Sequence, residues 1–410
     1  MKFKMSEKTS LQITSLFMQI IFVFFSVFFG IYVYEIAQNL NLVMAYTLFQ
    51  AFIAFLTELV LKRFMNNKTL KILYRLSFVM ALVSTVLTFT ISKNTLYMVF
   101  VTQFFYGITH TFYYTPFEIA TMDKNNSGQM KKFVGISAFL TLMAGVLSPF
   151  LSGFIIEYVS YYVLLGIILL CTILCFVLSF NTKKMANIDC KMNLRVYIKN
   201  VHSYKFMRCN LVGYGLFKLS QDGLIDLLLP ILIFMRTGGS FSVGIYSSLA
   251  TLVAGIVLLI YISLVKNKKI AMWVSTIVLV AVSIMLVVWN SIISFFIYYF
   301  IKRIAREILK NGVFEDIFTY TNNTPLQPYR VEQHLTFTFY KISFITIAYI
   351  IAFMVYNFIN SAISMSIVIL ILTLFQFLST YFVLKYEKLK KVEMQNINIM
   401  GENLCKEKQE

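Results

Sequence analysis

Charge is the scarcest property of this sequence. Only 13% of its 410 residues are charged, where a soluble domain carries about 25%. Apolar residues make up 59% and run from residue 12 to residue 384 with brief interruptions. A soluble core cannot absorb that much apolar surface, whereas lipid can. Acidic residues are fewest of all, 18 against 36 lysines and arginines, for a net charge of +18. A nucleic-acid binder would gather such charge into one patch or stripe. Here it lies in short clusters between apolar runs, so no nucleic-acid partner is expected.

Other shortages narrow the chemistry. The five cysteines, Cys171, Cys175, Cys190, Cys209 and Cys405, form no CxxC pair and read as buried or reduced thiols. The three histidines, His110, His202 and His334, are too scattered for a zinc site. No metal or cofactor is expected. No DxD, HxxxD or HxxH pattern occurs, and no GxxxxGK[ST] loop. The sequence therefore reads as neither an enzyme nor an ATP-driven pump carrying its own nucleotide site. A membrane-bound enzyme and a non-transporting sensor or scaffold remain the alternatives to transport. The basic start, MKFKMSEKTS, precedes an apolar run too long for a signal peptide, with no small-residue cleavage site after it. It is expected to stay as the first span.

What is present is a series of apolar segments, each near the 20 or so residues a membrane helix needs. Spans are predicted near 12–36, 41–61, 72–92, 95–117, 133–156, 160–180, 209–235, 240–264, 270–288, 290–310, 334–357 and 361–384. The third, sixth, eighth and twelfth are the clearest. The tenth is the weakest, because Lys302 and Arg303 end its apolar part. With the N-terminus placed inside, 32 of the 36 lysines and arginines fall in inner segments, and only Lys93 and Arg236 in outer loops. That bias fixes orientation and puts both termini in the cytosol. The chain thus divides into a six-helix half (1–180), a basic cytosolic linker (181–207), a second six-helix half (208–386) and a cytosolic tail (387–410). The halves run in register at an offset of about 198, so that Lys68 maps to Lys266 and Lys132 to Arg330. The fold class is all-α membrane protein, about twelve spans in two pseudo-symmetric halves, the parallel-repeat layout of a large transporter class.

Three features give the chain its resemblance to the major facilitator superfamily, over nearly its whole length. The first is the six-loop-six layout. The second is Gly145-Val-Leu-Ser-Pro149-Phe-Leu-Ser-Gly153 in the fifth span, similar to the motif of the family's exporters. A proline there frees a backbone carbonyl, and glycines admit a neighbouring helix closely. The third is Pro325-Leu-Gln-Pro-Tyr-Arg330, which resembles the loop ending in arginine of many bacterial members. Two family marks are altered. The inner loop after the second span keeps Arg63 but has Lys62 in place of the usual aspartate, and Gln103 replaces a common arginine of the fourth span. The resemblance implies a monomeric secondary transporter of the cytoplasmic membrane, bathed in lipid. It would move a small-molecule substrate by alternating access, coupled to protons, in the direction of efflux, as an antiporter. Arg63, Gly145, Pro149, Gly153 and Arg330 would serve gating or packing.

Ionisable residues inside spans are functional candidates by default. Arg208 and Arg236 bracket the seventh span 28 residues apart, roughly 42 Å of helix. Asp222 falls at its midpoint, and Lys218, Asp222 and Asp226 follow at i, i+4 and i+8 on one helical face. Gln221 adds a polar neighbour, and in the family this span lines the central cavity. The set reads as a substrate or proton site, or else as a static salt bridge locking two helices. In the tenth span, Arg303 and Arg306 lie roughly 20 and 24 Å from Asn290. Lys302, Arg306 and Lys310 are spaced by four, and Arg303 can pair with Glu307. These residues would bind an anionic group or answer Asp222, unless they snorkel to the headgroups. Lys341, about 16 Å in from Arg330, is placed to pair with an aspartate of the seventh span. His110, beside Tyr113 and Tyr114, reads as a packing residue or a proton relay. Charges of both signs suggest an amphiphilic, zwitterionic or peptide-like solute.

Overall fold

The computed structural model describes residues 7–61, 67–123, 127–182, 205–221, 224–264, 267–322, 330–359 and 363–406. Among them the secondary structure is helical, with no strand. The helices fall at the twelve predicted span positions. In the first, α1 (Glu7–Val23) passes through a π-helical segment, Phe24–Phe28, into α2 (Phe29–Ala37). Then come α3 (Leu40–Leu61), α4 (Asn67–Thr88), α5 (Met98–Asp123), α6 (Ser127–Tyr158) and α7 (Tyr161–Ser179). The seventh position holds α8 (Lys205–Gln221) and α9 (Leu224–Thr237). The rest are α10 (Ser240–Leu264), α11 (Lys268–Trp289), α12 (Ile292–Asn322), α13 (Arg330–Ile359) and α14 (Ser364–Lys406).

Eight helical stretches among the described residues are long and apolar enough to cross a membrane. They include the third, sixth, eighth and twelfth predicted spans. The positions that fall short are α5, α6, α8 with α9, and α12. Three of these carry the buried polar and charged residues Gln103, Lys218 and Lys302. The chain is a multi-pass α-helical membrane protein. Large apolar side chains stay exposed along its flanks, Leu170, Leu259, Ile293 and Phe358 among them, as a lipid-facing surface requires.

Short turns join the helices at one end of the bundle. Gln38 ends α2 in the left-handed region (φ 49°), its N–H bonding the Tyr34 carbonyl at 2.7 Å. Gly238 does the same after α9 (φ 72°), its N–H bonding the Phe234 carbonyl at 2.8 Å. Such a residue reverses the chain within two positions while satisfying a terminal carbonyl. Ser160 caps α7 by accepting from the Tyr162 N–H at 3.0 Å.

Packing links α1 to α6 and α7, α5 to α3 and α4, and α4 to α7. Further along the chain α8 packs on α13 and α14, α12 on α10 and α11, and α11 on α14. Three seams join these groups: α6 with α10, α3 with α13, and the π segment and α2 with α9.

The α6–α10 seam explains the fifth-span motif. A Cβ on Gly153 would lie 2.6 Å from the Ser240 carbonyl oxygen, and one on Gly244 would lie 2.5 Å from that of Pro149. The backbones touch there because no side chain intervenes. Gly145 faces Thr251, Gly255 faces Leu142, and the Ser248 hydroxyl donates to the Val146 carbonyl at 2.5 Å. At the end of the seam the Glu157 carboxylate accepts from the Phe241 N–H at 2.7 Å, so α6 caps α10. Gly145, Pro149 and Gly153 are therefore a helix-crossing surface.

Two expectations change in extent. The tenth helix runs on to Asn322, about three turns beyond residue 310. The tail from 387 stays helical to Lys406. Arg63, Asp222 and most of the linker lie outside the described residues. Arg330 is described only as the first helical position of α13.

Candidate functional site

The centre of the site is Asp226. It lies 11 residues from the end of α9 at Thr237, while Lys302 and Arg303 lie 10 and 11 residues from the start of α12 at Ile292. At about 1.5 Å per residue all three sit roughly 15–17 Å from the same end of the bundle, half the thickness of a hydrocarbon core. Pro230 follows Asp226 by four positions inside α9. It therefore removes the N–H that would bond the Asp226 carbonyl.

Each carboxylate oxygen of Asp226 takes a different cation of α12. Lys302 Nζ bonds Oδ1, and Arg306 Nη1 donates to Oδ2 at 3.0 Å. The Lys302 side chain is 1% exposed, against 19% for Asp226 and 22% for Arg306. Lys302 therefore does not snorkel. It is held in the interior by a carboxylate, and the i, i+4 spacing of Lys302 and Arg306 makes the bridge two-pronged. Tyr298 of α12 and Tyr349 of α13 lie near enough to feel the Asp226 charge. Tyr349 also approaches Tyr46 of α3 and Tyr106 of α5. The carboxylate thus stands close to where the helix groups meet.

Arg303 points elsewhere. Its Nη2 donates to the Tyr299 hydroxyl at 3.3 Å, and its guanidinium carbon stands 5.5 Å from that ring's centroid. The Tyr299 hydroxyl in turn donates to Ser247 Oγ of α10 at 2.9 Å. The Glu307 pairing goes to Lys310, at 3.9 Å, and not to Arg303 one turn the other way.

The remaining candidates separate into two further clusters. Lys218 is buried, its ammonium 5.6 Å from the centroids of both Tyr214 and Phe217. Its shared face with Asp222 and Asp226 runs through residues 222–223, outside the described set. Gln221 is fully buried against α14. Its Nε2 donates to Gln376 Oε1 at 3.3 Å, beside Ser220, which donates to the same oxygen at 2.5 Å. These bonds tie α8 to α14. Lys341 stands 5.7 Å over the Tyr114 ring. That ring packs on His110 at 4.6 Å and stacks on Phe22 at 5.0 Å. His110 belongs to this aromatic cluster between α1 and α5, with Tyr106 and Tyr113 also against Phe22. The seventh, tenth and eleventh helices carry interior charges, and Glu58 of α3 is a fully buried acid besides. The bridge that forms, however, is Asp226 with Lys302 and Arg306, while Lys341 lies with the aromatics.

Tyr299, Ser247, Tyr349 and Gln376 carry no charge, and nothing in their spacing marks them beforehand. The one signal for Tyr299 is its position four residues before Arg303. Among the described residues no group of three or more histidines, cysteines or acids is placed to hold a metal.

Paired charges thus lie at mid-depth between the helices of a membrane bundle. No protein-family model matches the chain, and no curated protein matches it. Among solved structures, the crystal structure of the human organic anion transporter MFSD10 (TETRAN) matches with a TM-score of 0.61. The match covers 92% of this chain and 98% of that one, at 12% identity. The chain therefore has the fold of that membrane transporter, the major facilitator fold.

Proposed function

We propose that the protein is a secondary active transporter, working as a monomer in the cytoplasmic membrane of a bacterium, with both termini cytosolic. It moves a small amphiphilic or peptide-like solute by alternating access. The observation that carries this reading is the mid-depth bridge of Asp226 to Lys302 and Arg306. Interior charges of this kind are expensive in lipid and mark solute and proton paths.

Twelve spans in two halves of six are supported by the packing. The neighbours of α1, α3, α4 and α5 correspond one by one to those of α8, α10, α11 and α12. The seams exchange in the same way, α6 with α10 answering α13 with α3. The turns at Gln38 and Gly238 fall 200 residues apart, close to the sequence offset.

Proton coupling follows from the arithmetic of the bridge. Protonating Asp226 removes a carboxylate that holds two cations across α9 and α12, so the helices separate more easily. The Gly145–Gly153 motif, similar to that of exporters, favours efflux by proton antiport. The test is uptake of a labelled apolar tripeptide and of a zwitterionic dye into inside-out vesicles energised by a pH gradient. Wild-type vesicles should accumulate at least one of them and lose that activity with an ionophore. Asp226→Asn should insert normally and abolish the gradient dependence. Accumulation by Asp226→Asn at the wild-type rate and pH profile would sink the coupling role. No accumulation in any vesicle orientation would favour a sensor or scaffold.

A further inference from the structure

Asp226 has two oxygens, and both are occupied by Lys302 and Arg306. That leaves a further cation of the tenth helix, Arg303, with no carboxylate bonded to it among the described residues. One of its nitrogens donates to the Tyr299 hydroxyl at 3.3 Å, and its Nε is buried with no hydrogen-bond partner. A guanidinium cannot shed its charge as a lysine can, so burial with an unmet N–H is costly. Such a group persists where something else completes it.

The surroundings are built to hold the guanidinium still. The Tyr299 ring lies beside it, and the Tyr299 hydroxyl is fixed in turn on Ser247 of α10. Arg303 as a whole is only partly buried, so part of its side chain remains accessible. Two turns toward Ile292, Phe296 stacks on Tyr246 at 3.7 Å, and Tyr298 and Tyr349 lie within electrostatic reach of Asp226. The planar fork of N–H donors fits an oxyanion, and the aromatic walls fit an apolar body.

We propose that Arg303 is the docking point for the anionic group of the cargo, an organic anion with an aromatic or aliphatic body. Asp226, Lys302 and Arg306 then form a separate coupling bridge. This rests on the transporter reading above and deepens it. The cargo carries a carboxylate, sulfonate or phosphate monoester. Its charge offsets Arg303, and the coupling bridge needs no rearrangement to receive it.

The test measures binding, not transport, so that the two readings fail separately. Purified full-length protein in a neutral detergent is challenged with benzoate, benzenesulfonate and phenyl phosphate. Benzyl alcohol and benzylamine serve as matched neutral and cationic bodies. At least one anion should raise the unfolding temperature by about 2 °C or more above the neutral body. Arg303→Met should remove that difference. Arg303→Lys keeps the charge but loses the fork, so it should bind about tenfold more weakly while eluting as the same monodisperse species. No anion-specific shift in wild type, or a shift that survives in Arg303→Met, overturns the inference. So does an Arg303-dependent shift produced by phosphatidylglycerol alone and by none of the soluble anions, which would make the site a lipid headgroup site. Anion binding without vesicle transport would leave the Arg303 assignment standing and remove the transporter reading. Transport without anion preference would do the reverse.

Discussion

Asp226 is one acid serving two bases, and this decides how substitutions there behave. Asp226→Asn leaves Lys302, buried and cationic, without its counter-charge. Breaking a buried pair from one side costs about 3–5 kcal/mol. The double variant Asp226→Asn/Lys302→Met removes the stranded charge and should recover a large part of that loss. Thermal unfolding in detergent of the two variants beside wild type reads the difference. If the double variant is as unstable as the single one, Lys302 is not the residue stranded. Tyr114 offers a second contrast. Tyr114→Phe keeps the ring under Lys341 and against Phe22 and His110. Tyr114→Ala removes it, a loss of about 3–5 kcal/mol in a packed site. The same unfolding measurement separates them. The charged members of the site were legible because membrane burial makes charge conspicuous in a sequence. Their pairing was not, because which cation meets which acid depends on how α9 and α12 cross. Tyr299 and Gln376 were silent for a related reason. An uncharged polar residue in a span is common, and only its neighbours reveal its work.

At the scale of helices, the small-residue seam is where the sequence and the structure agree most closely. Gly244→Leu would drive a side chain into the Pro149 carbonyl, and Gly153→Val into that of Ser240. Both should fail to fold or should run as aggregates on size-exclusion chromatography. Gly166→Ala meets nothing within 4 Å, and in α7 it should be neutral or slightly stabilising. Equal behaviour of the three variants would contradict the packing of α6 on α10. Glu157→Ala removes the acceptor at the start of α10 and should cost about 0.5–2 kcal/mol, the value of a helix cap. Helix ends were less legible than helix centres. Hydropathy registers the part of a helix that lies in lipid. It does not register where a helix continues past its apolar stretch, as α12 does to Asn322 and α14 to Lys406. In the α14 extension lysine, glutamate and other good helix formers carry the helix on.

For the whole molecule, the layout of apolar runs and basic loops was enough to indicate the fold, even though the motif of the second inner loop is altered. Fold follows from where apolar segments begin and end, which 12% identity to a human transporter leaves intact. Function follows from a few side chains, which that identity leaves open. A movement of the whole can be tested at the α3–α13 seam, where Phe55 and Phe339 pack with ring centroids 5.2 Å apart. In a protein with its five cysteines replaced, Phe55→Cys and Phe339→Cys bridged by a short bis-thiol reagent should stop vesicle transport, and reduction should restore it. Full transport by the bridged protein would mean that this seam does not part.

The two long seams are made of different material. α6 and α10 bring four contacting glycines to theirs, and α3 and α13 contain none. One is therefore a bearing of backbone on backbone, capped at its end by Glu157. The other is a cushion of large side chains such as Phe55 and Phe339, which can repack as they slide. In the transport cycle proposed above, the glycine side is expected to serve as the jamb and the aromatic side to take most of the travel.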